Sequence, residues 1–203
     1  MSTHPTTHPA GEPVRPAVPA ARLFAHRRIL RVQLDAYERA IELLTDAARR
    51  RYGPVTATIG IANGGLAPAR GISQLLRTPT YQVTAKHNPT DAIYTEATGT
   101  VSYDLGPLTS AVDGQQLAGT VLLVDDICGT GATLTALRPD LTTYLGPTVT
   151  VRTVALCRNA GSTLDPDLWA WTVDDWVSFP WEPVPPDGTA TEDLPIPNQV
   201  HPA

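Results

Sequence analysis

The chain has 203 residues, of which 42% are hydrophobic and 17% charged, a balance that suits one domain with a buried core and excludes a wholly disordered protein. Its formal net charge of −5 at pH 7 gives no general basic surface, so we expect neither a nucleic-acid partner nor attraction to anionic lipid. No apolar run approaches the roughly 20 residues that span a bilayer, and segment 1–20 lacks the apolar stretch of a signal peptide. These features predict a soluble, cytoplasmic protein with no membrane partner.

The two cysteines, Cys128 and Cys157, are too few for a disulfide-stapled scaffold. They also lack the spacing and the histidine neighbours of a zinc site. We therefore expect a reducing compartment and no structural metal.

More than half of the 20 prolines lie in segments 1–20 and 183–203, where hydrophobic periodicity is also missing. Such segments bury too little apolar surface to offset the cost of ordering the backbone. They are predicted to be irregular tails, and the working domain is predicted over residues 21–182.

Apolar residues recur at intervals of three and four over residues 25–51, which predicts a long helix that ends at Gly53. The pattern further predicts strands over 55–62, 80–85, 119–126 and 148–157, helices over 66–76 and 132–144, and a mobile loop over 86–98. Continuously apolar strands that alternate with helices are typical of an α/β fold with a mostly parallel sheet covered on both faces. Ligands of such sheets bind beyond the carboxyl ends of the strands, where the glycine turns of this chain fall.

The most informative stretch is VLLVDDICGTGATL, residues 121–134, in which buried aliphatic residues bring Asp125 and Asp126 to the end of a strand. A loop of small residues then turns into a helix, so that backbone N–H groups and the helix N-terminus can hold a phosphate. The loop residues are Gly129, Thr130, Gly131, Ala132 and Thr133. Because like charges repel, the two carboxylates suit sugar hydroxyls or a hydrated cation rather than the phosphate itself.

Two other phosphate-binding loops are excluded by the residues. A Walker loop needs a lysine followed by serine or threonine, and this segment has no lysine. A dinucleotide-binding loop needs a third glycine, and Thr133 or its neighbours occupy that position here.

The segment from Val121 to Thr133 resembles the thirteen-residue motif of the type I phosphoribosyltransferases, which use phosphoribosyl pyrophosphate (PRPP). The resemblance implies that Asp125 and Asp126 bind the ribose hydroxyls, with Mg²⁺ as cofactor held directly or indirectly, and that loop 129–133 binds the 5-phosphate. It implies an enzyme with the type I fold and a small hood, acting as a homodimer or higher homo-oligomer.

Two further segments fall where this family binds pyrophosphate. IGIANGGLAPAR resembles the pyrophosphate loop, with Asn63, Gly64 and Gly65 as candidates. Lys86 and His87 lie where the family carries its mobile loop, and the resemblance implies that they contact pyrophosphate, with Lys86 as a catalytic residue.

All four tryptophans lie between Trp169 and Trp181, and we expect a hood over a planar ring that includes residues 169–182. The end of this run, WVSFPWE, is similar to the hood of xanthine-guanine and archaeal-type purine phosphoribosyltransferases. The resemblance implies that Trp176 stacks on the base, Val177 offers backbone contacts and Glu182 lies near the exocyclic group. Arg158 stands where the family places a lysine that donates to the purine 6-oxygen.

One position departs from the 6-oxopurine enzymes, because Gly129 replaces their aspartate that faces purine N7. The function predicted from the sequence is transfer of phosphoribosyl from PRPP to a nitrogen of a purine-like base, with release of pyrophosphate. Two alternatives stay open: the same chemistry on a non-purine acceptor in specialised metabolism, and a regulator of the same fold that binds PRPP or nucleotides without turnover.

Overall fold

The computed structural model describes residues 21–86, 101–112, 116–185 and 188–203. Its helices are α1 (Leu34–Tyr52), α2 (Leu66–Leu76), α3 (Gly106–Val112) and α4 (Ala132–Leu145). Its strands are β1 (Ile29–Arg31), β2 (Val55–Ala62), β3 (Thr80–Lys86), β4 (Ser102–Asp104), β5 (Gly119–Cys128), β6 (Val149–Asn159), β7 (Leu168–Val173), β8 (Trp176–Ser178), β9 (Thr191–Asp193) and β10 (His201–Pro202). The predicted tail over 1–20 and nearly all of the predicted loop over 86–98, including His87, lie outside the described residues.

A seven-stranded sheet in the order β10-β7-β6-β5-β2-β3-β4 forms the centre of the fold. Neighbours from β7 to β3 are parallel, and β4 and β10 pair antiparallel at the two edges. This confirms the predicted α/β fold with a mostly parallel sheet. The carboxyl ends of β5 and β2 therefore meet at the same edge of the sheet.

Successive side chains of β5 enter two separate hydrophobic clusters, because a strand directs alternate residues to opposite faces. Leu122 and Val124 pack with residues of α1 and α2, while Val121 and Leu123 pack with residues of α3 and α4. Both faces of the sheet are thus covered, which explains why its central strands are continuously apolar. No helix in the described ranges is both long and apolar enough to cross a membrane.

The helix predicted over residues 25–51 is wrong at its N-terminal end, where the structure has β1 and then α1. Residues 29–31 are extended because their backbone pairs in parallel with both β8 and β9, which are distant in sequence. The predicted end is confirmed: Gly53 has φ 73°, and its N–H donates to the carbonyl of Arg49 at 3.1 Å.

The disordered or irregular C-terminal tail predicted over 183–203 is wrong at Thr191–Asp193, which supplies β9 to the small sheet, and at His201–Pro202, which supplies β10 to the edge of the large one. Its proline at position 202 is compatible with an edge strand. Tryptophans of β7 fix the segment in place: Trp171 Nε1 donates to the carbonyl of Pro195 at 2.9 Å, and Trp169 stacks on His201 at 5.5 Å between ring centroids. The C-terminal segment is therefore part of the folded domain.

Candidate functional site

The two adjacent carboxylates lie near the carboxyl end of β5 and are half-buried. Asp125 Oδ1 accepts a hydrogen bond from the backbone N–H of Asp126 at 3.0 Å, and Asp126 Oδ1 accepts one from the N–H of Ile127 at 2.7 Å. Burial, reinforced by the neighbouring carboxylate, raises the pKa of Asp125 well above its ordinary value, and burial also raises the pKa of Asp126. A partner with hydroxyl groups or a cation would relieve this cost of burial.

The loop after β5 leads directly into α4, and its N-cap, Gly131, makes no side-chain capping bond. Gly131 has φ +89°, and a Cβ there would stand 2.5 Å from Leu164 Cβ, so both backbone conformation and space require glycine. Thr130 is buried, and its Oγ1 accepts a hydrogen bond from the N–H of Ala132 at 3.2 Å. The N-terminus of α4, with Gly131 before it and the hydroxyls of Thr130 and Thr133 beside it, is suited to an anion.

A second glycine loop, Asn63 to Gly65, follows β2 and packs against the carboxylate pair. A Cβ on Gly64 would stand 1.8 Å from Asp126 Oδ2, and one on Gly65 would stand 2.3 Å from the carbonyl oxygen of Val124. The peptide bond that enters the loop, Ala62–Asn63, is cis. The two loops that the sequence singled out are therefore neighbours around Asp126.

Lys86 is the last residue of β3, is exposed, and lies two residues past Thr84, the register partner of Ala62. Because β3 runs parallel to β2, Lys86 lies at the same edge of the sheet as the glycine loop. Its role in binding pyrophosphate stays a prediction.

Three residues of the predicted base pocket differ in their surroundings. Trp176 is half-buried on β8, and its ring lies 6.2 Å from that of Phe24. Val177 is buried in the core and pairs with Leu30 of β1. Glu182 Oε2 accepts a hydrogen bond from the N–H of Phe179 at 3.0 Å, and burial raises the pKa of Glu182.

The four tryptophans do not share one hood. Trp169 and Trp171 are buried in β7 of the large sheet, and only Trp176 belongs to the small sheet formed by β8, β1 and β9. Trp181 stacks on Phe179 with 4.9 Å between ring centroids. The hood predicted over 169–182 is therefore wrong for residues 169–173, which belong to a nearly continuously buried strand of the central sheet.

The N–H groups of Arg158 donate to residues that are close to it in sequence. Its Nε donates to Asp165, and its Nη2 donates to the carbonyl of Ser162 at 3.0 Å. Burial, followed by the charge of Asp126, raises the pKa of the neighbouring Cys157 thiol. Donation to a base by Arg158 stays a prediction.

The sequence analysis did not identify Arg22, which lies beside Gly129 and the aromatic rings of Phe24 and Trp176. Its Cζ is 5.1 Å from the ring centroid of Trp176, and its Cδ and Nε lie 3.1 Å from where a Cβ of Gly129 would stand. Burial lowers the pKa of the guanidinium, while the charges of Asp126 and Asp125 oppose this effect. Its Nε is buried and has no hydrogen-bond partner among the described residues.

Two fully buried polar residues hold the segment that carries Arg22. Asn159 Oδ1 accepts from the N–H of Leu23 at 2.8 Å, and Asn159 Nδ2 donates to the carbonyl of Leu23 at 3.0 Å. Asp175 accepts from the N–H groups of His26 and Arg27. These contacts span more than 130 residues of sequence, so no local pattern near Arg22 could have indicated them.

His26, Asp174 and Asp175 place possible metal-ligand atoms within 4.8 Å of one another. Asp175 is occupied by backbone N–H groups, and Arg28 Nε lies 3.4 Å from its Oδ2. The cluster therefore anchors segment 25–28 to the turn between β7 and β8.

Comparison with known proteins gives one family and several solved structures with the same fold. The family described as "Phosphoribosyl transferase domain" matches residues 33–186. Purine phosphoribosyltransferase from Pyrococcus horikoshii has 24% identity and a TM-score of 0.61, with 78% of this chain and 96% of that chain covered. A search of the curated proteins found no match.

Two further solved structures share the fold. Xanthine-guanine-hypoxanthine phosphoribosyltransferase from Helicobacter pylori has 16% identity and a TM-score of 0.62 over 77% of this chain and 93% of that chain. A hypothetical protein from Neisseria gonorrhoeae with bound ppGpp has 24% identity and a TM-score of 0.57 over 78% of this chain and 91% of that chain. At these identities, the structural likenesses show the fold.

Proposed function

Since the chain belongs to the phosphoribosyl transferase family, we propose that it transfers a 5-phosphoribosyl group from PRPP to a ring nitrogen of a planar, nucleobase-like acceptor and releases pyrophosphate. The observation that carries this proposal is the position of the carboxylate pair between two glycine loops. Asp126 is in contact with the loop of Gly64, and the loop after β5 leads into the N-terminus of α4.

In the proposed reaction, the ring nitrogen forms a bond to C1 of the ribose while the bond from C1 to the pyrophosphate oxygen breaks. Pyrophosphate leaves with the electron pair of that bond. Asp125 and Asp126 would accept hydrogen bonds from the ribose hydroxyls, and loop 129–133 would hold the 5-phosphate. The amides of residues 63–65 would meet the developing charge on the leaving group, so the three anchors fix C1 for attack.

The residues present fit a divalent cation. Asp125 and Asp126 offer carboxylate oxygens, the ligands that Mg²⁺ prefers, and Gly64 keeps the space beside Asp126 free of a side chain. We propose that these two aspartates hold Mg²⁺, directly or through water. When bound, the cation would offset part of the negative charge of pyrophosphate.

The proposal extends to the cellular setting that the family resemblance implies: a cytoplasmic enzyme of nucleotide metabolism that acts as a homodimer or higher homo-oligomer. Size-exclusion chromatography with light scattering tests the oligomeric state. We expect a mass of at least twice 21.7 kDa, and a single-chain mass would contradict the oligomer.

A panel of purine, pyrimidine and pyridine acceptors, incubated with PRPP and Mg²⁺, tests the transfer reaction by pyrophosphate release. We expect release that depends on one class of acceptor. A second candidate, a regulator that binds without turnover, is favoured by the bound ppGpp of the similar Neisseria gonorrhoeae structure. Tight PRPP or ppGpp binding without pyrophosphate release from any acceptor would support that candidate instead.

We expect Lys86→Ala to lower turnover by about tenfold or more, because a cation that faces the leaving pyrophosphate stabilises charge that develops in the transition state. Binding of a product-like nucleoside 5-phosphate should stay nearly unchanged, since the nucleotide lacks pyrophosphate. Arg50→Ala, which removes an exposed cation from α1, is the matched control and should keep full activity. Loss of nucleotide binding with retained pyrophosphate binding would remove Lys86 from this role.

We expect Trp176→Ala to raise the KM of the acceptor by about tenfold or more, because base stacking on an aromatic ring contributes about 1 to 3 kcal/mol. The KM of PRPP should change little. Trp181→Ala, which removes a tryptophan stacked on Phe179, is the control and should leave both KM values unchanged. Equal effects of the two variants on the acceptor would contradict the stacking role of Trp176.

A further inference from the structure

We propose that Arg28 is a positioning residue for the acceptor: it links β9 to the turn that carries Trp176, and so makes acceptor binding depend on the C-terminal segment. The inference rests on the proposed function, in which Trp176 stacks on the acceptor. It goes beyond that function because Arg28 belongs neither to the carboxylate pair nor to the glycine loops. Arg28 and β9 both lie outside residues 33–186, the part of the chain that matches the family.

The small sheet places three distant segments side by side. β1 lies at its centre, with β8 and β9 parallel to it on either side. Ile29 is the register partner of Trp176 on one side and of Thr191 on the other. The N–H of Leu194, just after β9, donates to the carbonyl of Arg31 at 2.8 Å. The strand of Trp176 therefore pairs with β1, whose other edge is held by β9.

Arg28 directly precedes β1, and its guanidinium faces a carboxylate of β9 and two carboxylates of the turn between β7 and β8. Its Nη1 donates to Glu192 Oε2. Its Nη2 lies 3.5 Å from Asp174 Oδ1, and its Nε lies 3.4 Å from Asp175 Oδ2. A guanidinium can face several carboxylates at once, because its N–H groups point in different directions within one plane. Arg28 thus connects β9 with that turn.

Asp175 connects this ion-pair cluster to the acceptor side, because it is fully buried and directly precedes Trp176. Its carboxylate accepts hydrogen bonds from the N–H groups of His26 and Arg27. A buried carboxylate that loses a charged partner carries an uncompensated cost of desolvation. We expect the turn to relieve that cost by moving toward solvent, which would move Trp176 with it.

The C-terminal segment is also fixed to the large sheet, since Trp171 of β7 donates to the carbonyl of Pro195. The same sheet carries Asp125 and Asp126 at the carboxyl end of β5. The contacts of Arg28 therefore help to hold Trp176 in place relative to the carboxylate pair. Because the reacting ring nitrogen must meet C1 of a ribose held by that pair, displacement of Trp176 would weaken contacts to the base and leave contacts to the sugar phosphate intact.

Equilibrium binding tests this role without turnover. Guanosine 5-monophosphate and uridine 5-monophosphate are compared with ribose 5-phosphate, so that the ratio of Kd values measures the affinity gained from the base. We expect the native protein to bind at least one nucleotide about tenfold or more tightly than ribose 5-phosphate. Arg28→Met should lower that ratio by about fivefold or more and leave the affinity for ribose 5-phosphate within about twofold. Arg39→Met, which breaks an exposed ion pair with Glu42 on α1, is the matched control and should keep the ratio.

Glu192→Gln tests the part of β9 and changes only an exposed side chain, so this variant should fold. We expect it to lower the ratio by about twofold to threefold. Added to Arg28→Met, it should cause no further loss, because two residues that act through one contact are not additive. A merely structural role would lower thermal stability without this selective, coupled loss of affinity for the base.

Four results would overturn the inference: an unchanged ratio in Arg28→Met, an equal loss of nucleotide and ribose 5-phosphate, fully additive effects of the two substitutions, or no gain from either base in the native protein. Should Arg28→Met fail to fold, an unchanged ratio in Glu192→Gln would overturn it. Pyrophosphate release decides the proposed function separately. A selective loss in the binding experiment would uphold the role of Arg28 even if no acceptor released pyrophosphate, an outcome that would overturn only the proposed transfer.

Discussion

The double variant Asp125→Asn with Asp126→Asn is expected to lower turnover with PRPP by about 100-fold or more, because catalysis requires C1 to be held while the leaving group departs. Asparagine keeps the size of the side chain but loses the charge and part of the hydrogen-bond acceptance toward ribose hydroxyls. Steady-state pyrophosphate release measures the loss. Asp46→Asn, which neutralises an exposed carboxylate on α1, is the control and should keep full activity.

The same double variant is expected to be at least as stable as the native protein at pH 7 to 8. Burial raises the pKa of Asp125 and of Asp126 above the ordinary value of 3.8, so the folded state holds these protons more tightly than the unfolded state. Stability contributed by such groups is complete below the unfolded pKa and is lost as the pH rises through the folded pKa. Neutral asparagines avoid that loss.

Thermal unfolding measured from pH 3 to pH 8 checks the direction of this pH dependence of stability. The variant's melting temperature should exceed the native value at neutral pH, and the gain should disappear near pH 3, where the native carboxyls are also protonated. A variant that is inactive and also strongly destabilised at neutral pH would show that the aspartates hold the fold together, which would contradict their role at the ribose.

The second large effect is expected for Gly131→Ala in the phosphate loop. Its φ of +89° is unfavourable for alanine, and the new Cβ would stand 2.5 Å from Leu164 Cβ. We expect the free energy of unfolding to fall by about 2 to 4 kcal/mol. Because the loop must shift, affinity for a 5-phosphate nucleotide should also fall by about tenfold or more, as an anion site depends on converging amides.

Gly146→Ala is the control for backbone strain without a clash, because Gly146 has φ +81° and ψ 178°, a conformation largely restricted to glycine, but nothing within 4 Å of the new Cβ. We expect this strain to cost about 1 to 3 kcal/mol and to leave nucleotide affinity unchanged, since Gly146 lies at the far end of α4. Denaturant unfolding and nucleotide titration of both variants check the comparison. Equal destabilisation of the two, with nucleotide affinity unchanged, would contradict the close packing of the loop.

Much of the candidate site was predictable because its determinants are local. The aliphatic run before Asp125 predicts a buried strand, and the small residues after Cys128 predict a tight turn into α4; both elements are confirmed. The loop at Gly64 was predictable as a turn after a strand. Its contact with Asp126 follows from the parallel pairing of β2 with β5, which places their carboxyl ends together.

The remaining parts depend on pairing between distant segments. Residues 29–31 continue the helical pattern of α1 but form β1, because β8 and β9 offer them backbone partners on both sides. The sequence of the C-terminal segment predicts an irregular proline-rich tail. In the structure, Trp169 stacks on His201 and Trp171 donates to the carbonyl of Pro195, and these contacts hold the segment against β7. Arg22 escaped prediction for the same reason, since buried Asn159 fixes its segment through contacts over 136 residues of sequence.

Product analysis with the acceptor that gives the fastest pyrophosphate release tests the central claim most directly. The reaction with PRPP and Mg²⁺ should yield pyrophosphate and a ribosylated acceptor 5-phosphate in equal amounts, each measured by chromatography with mass detection. Neither product should form above background with the Asp125→Asn, Asp126→Asn variant. Pyrophosphate accompanied only by free ribose 5-phosphate, or PRPP that binds but stays intact with every acceptor, would contradict phosphoribosyl transfer as the function of this protein.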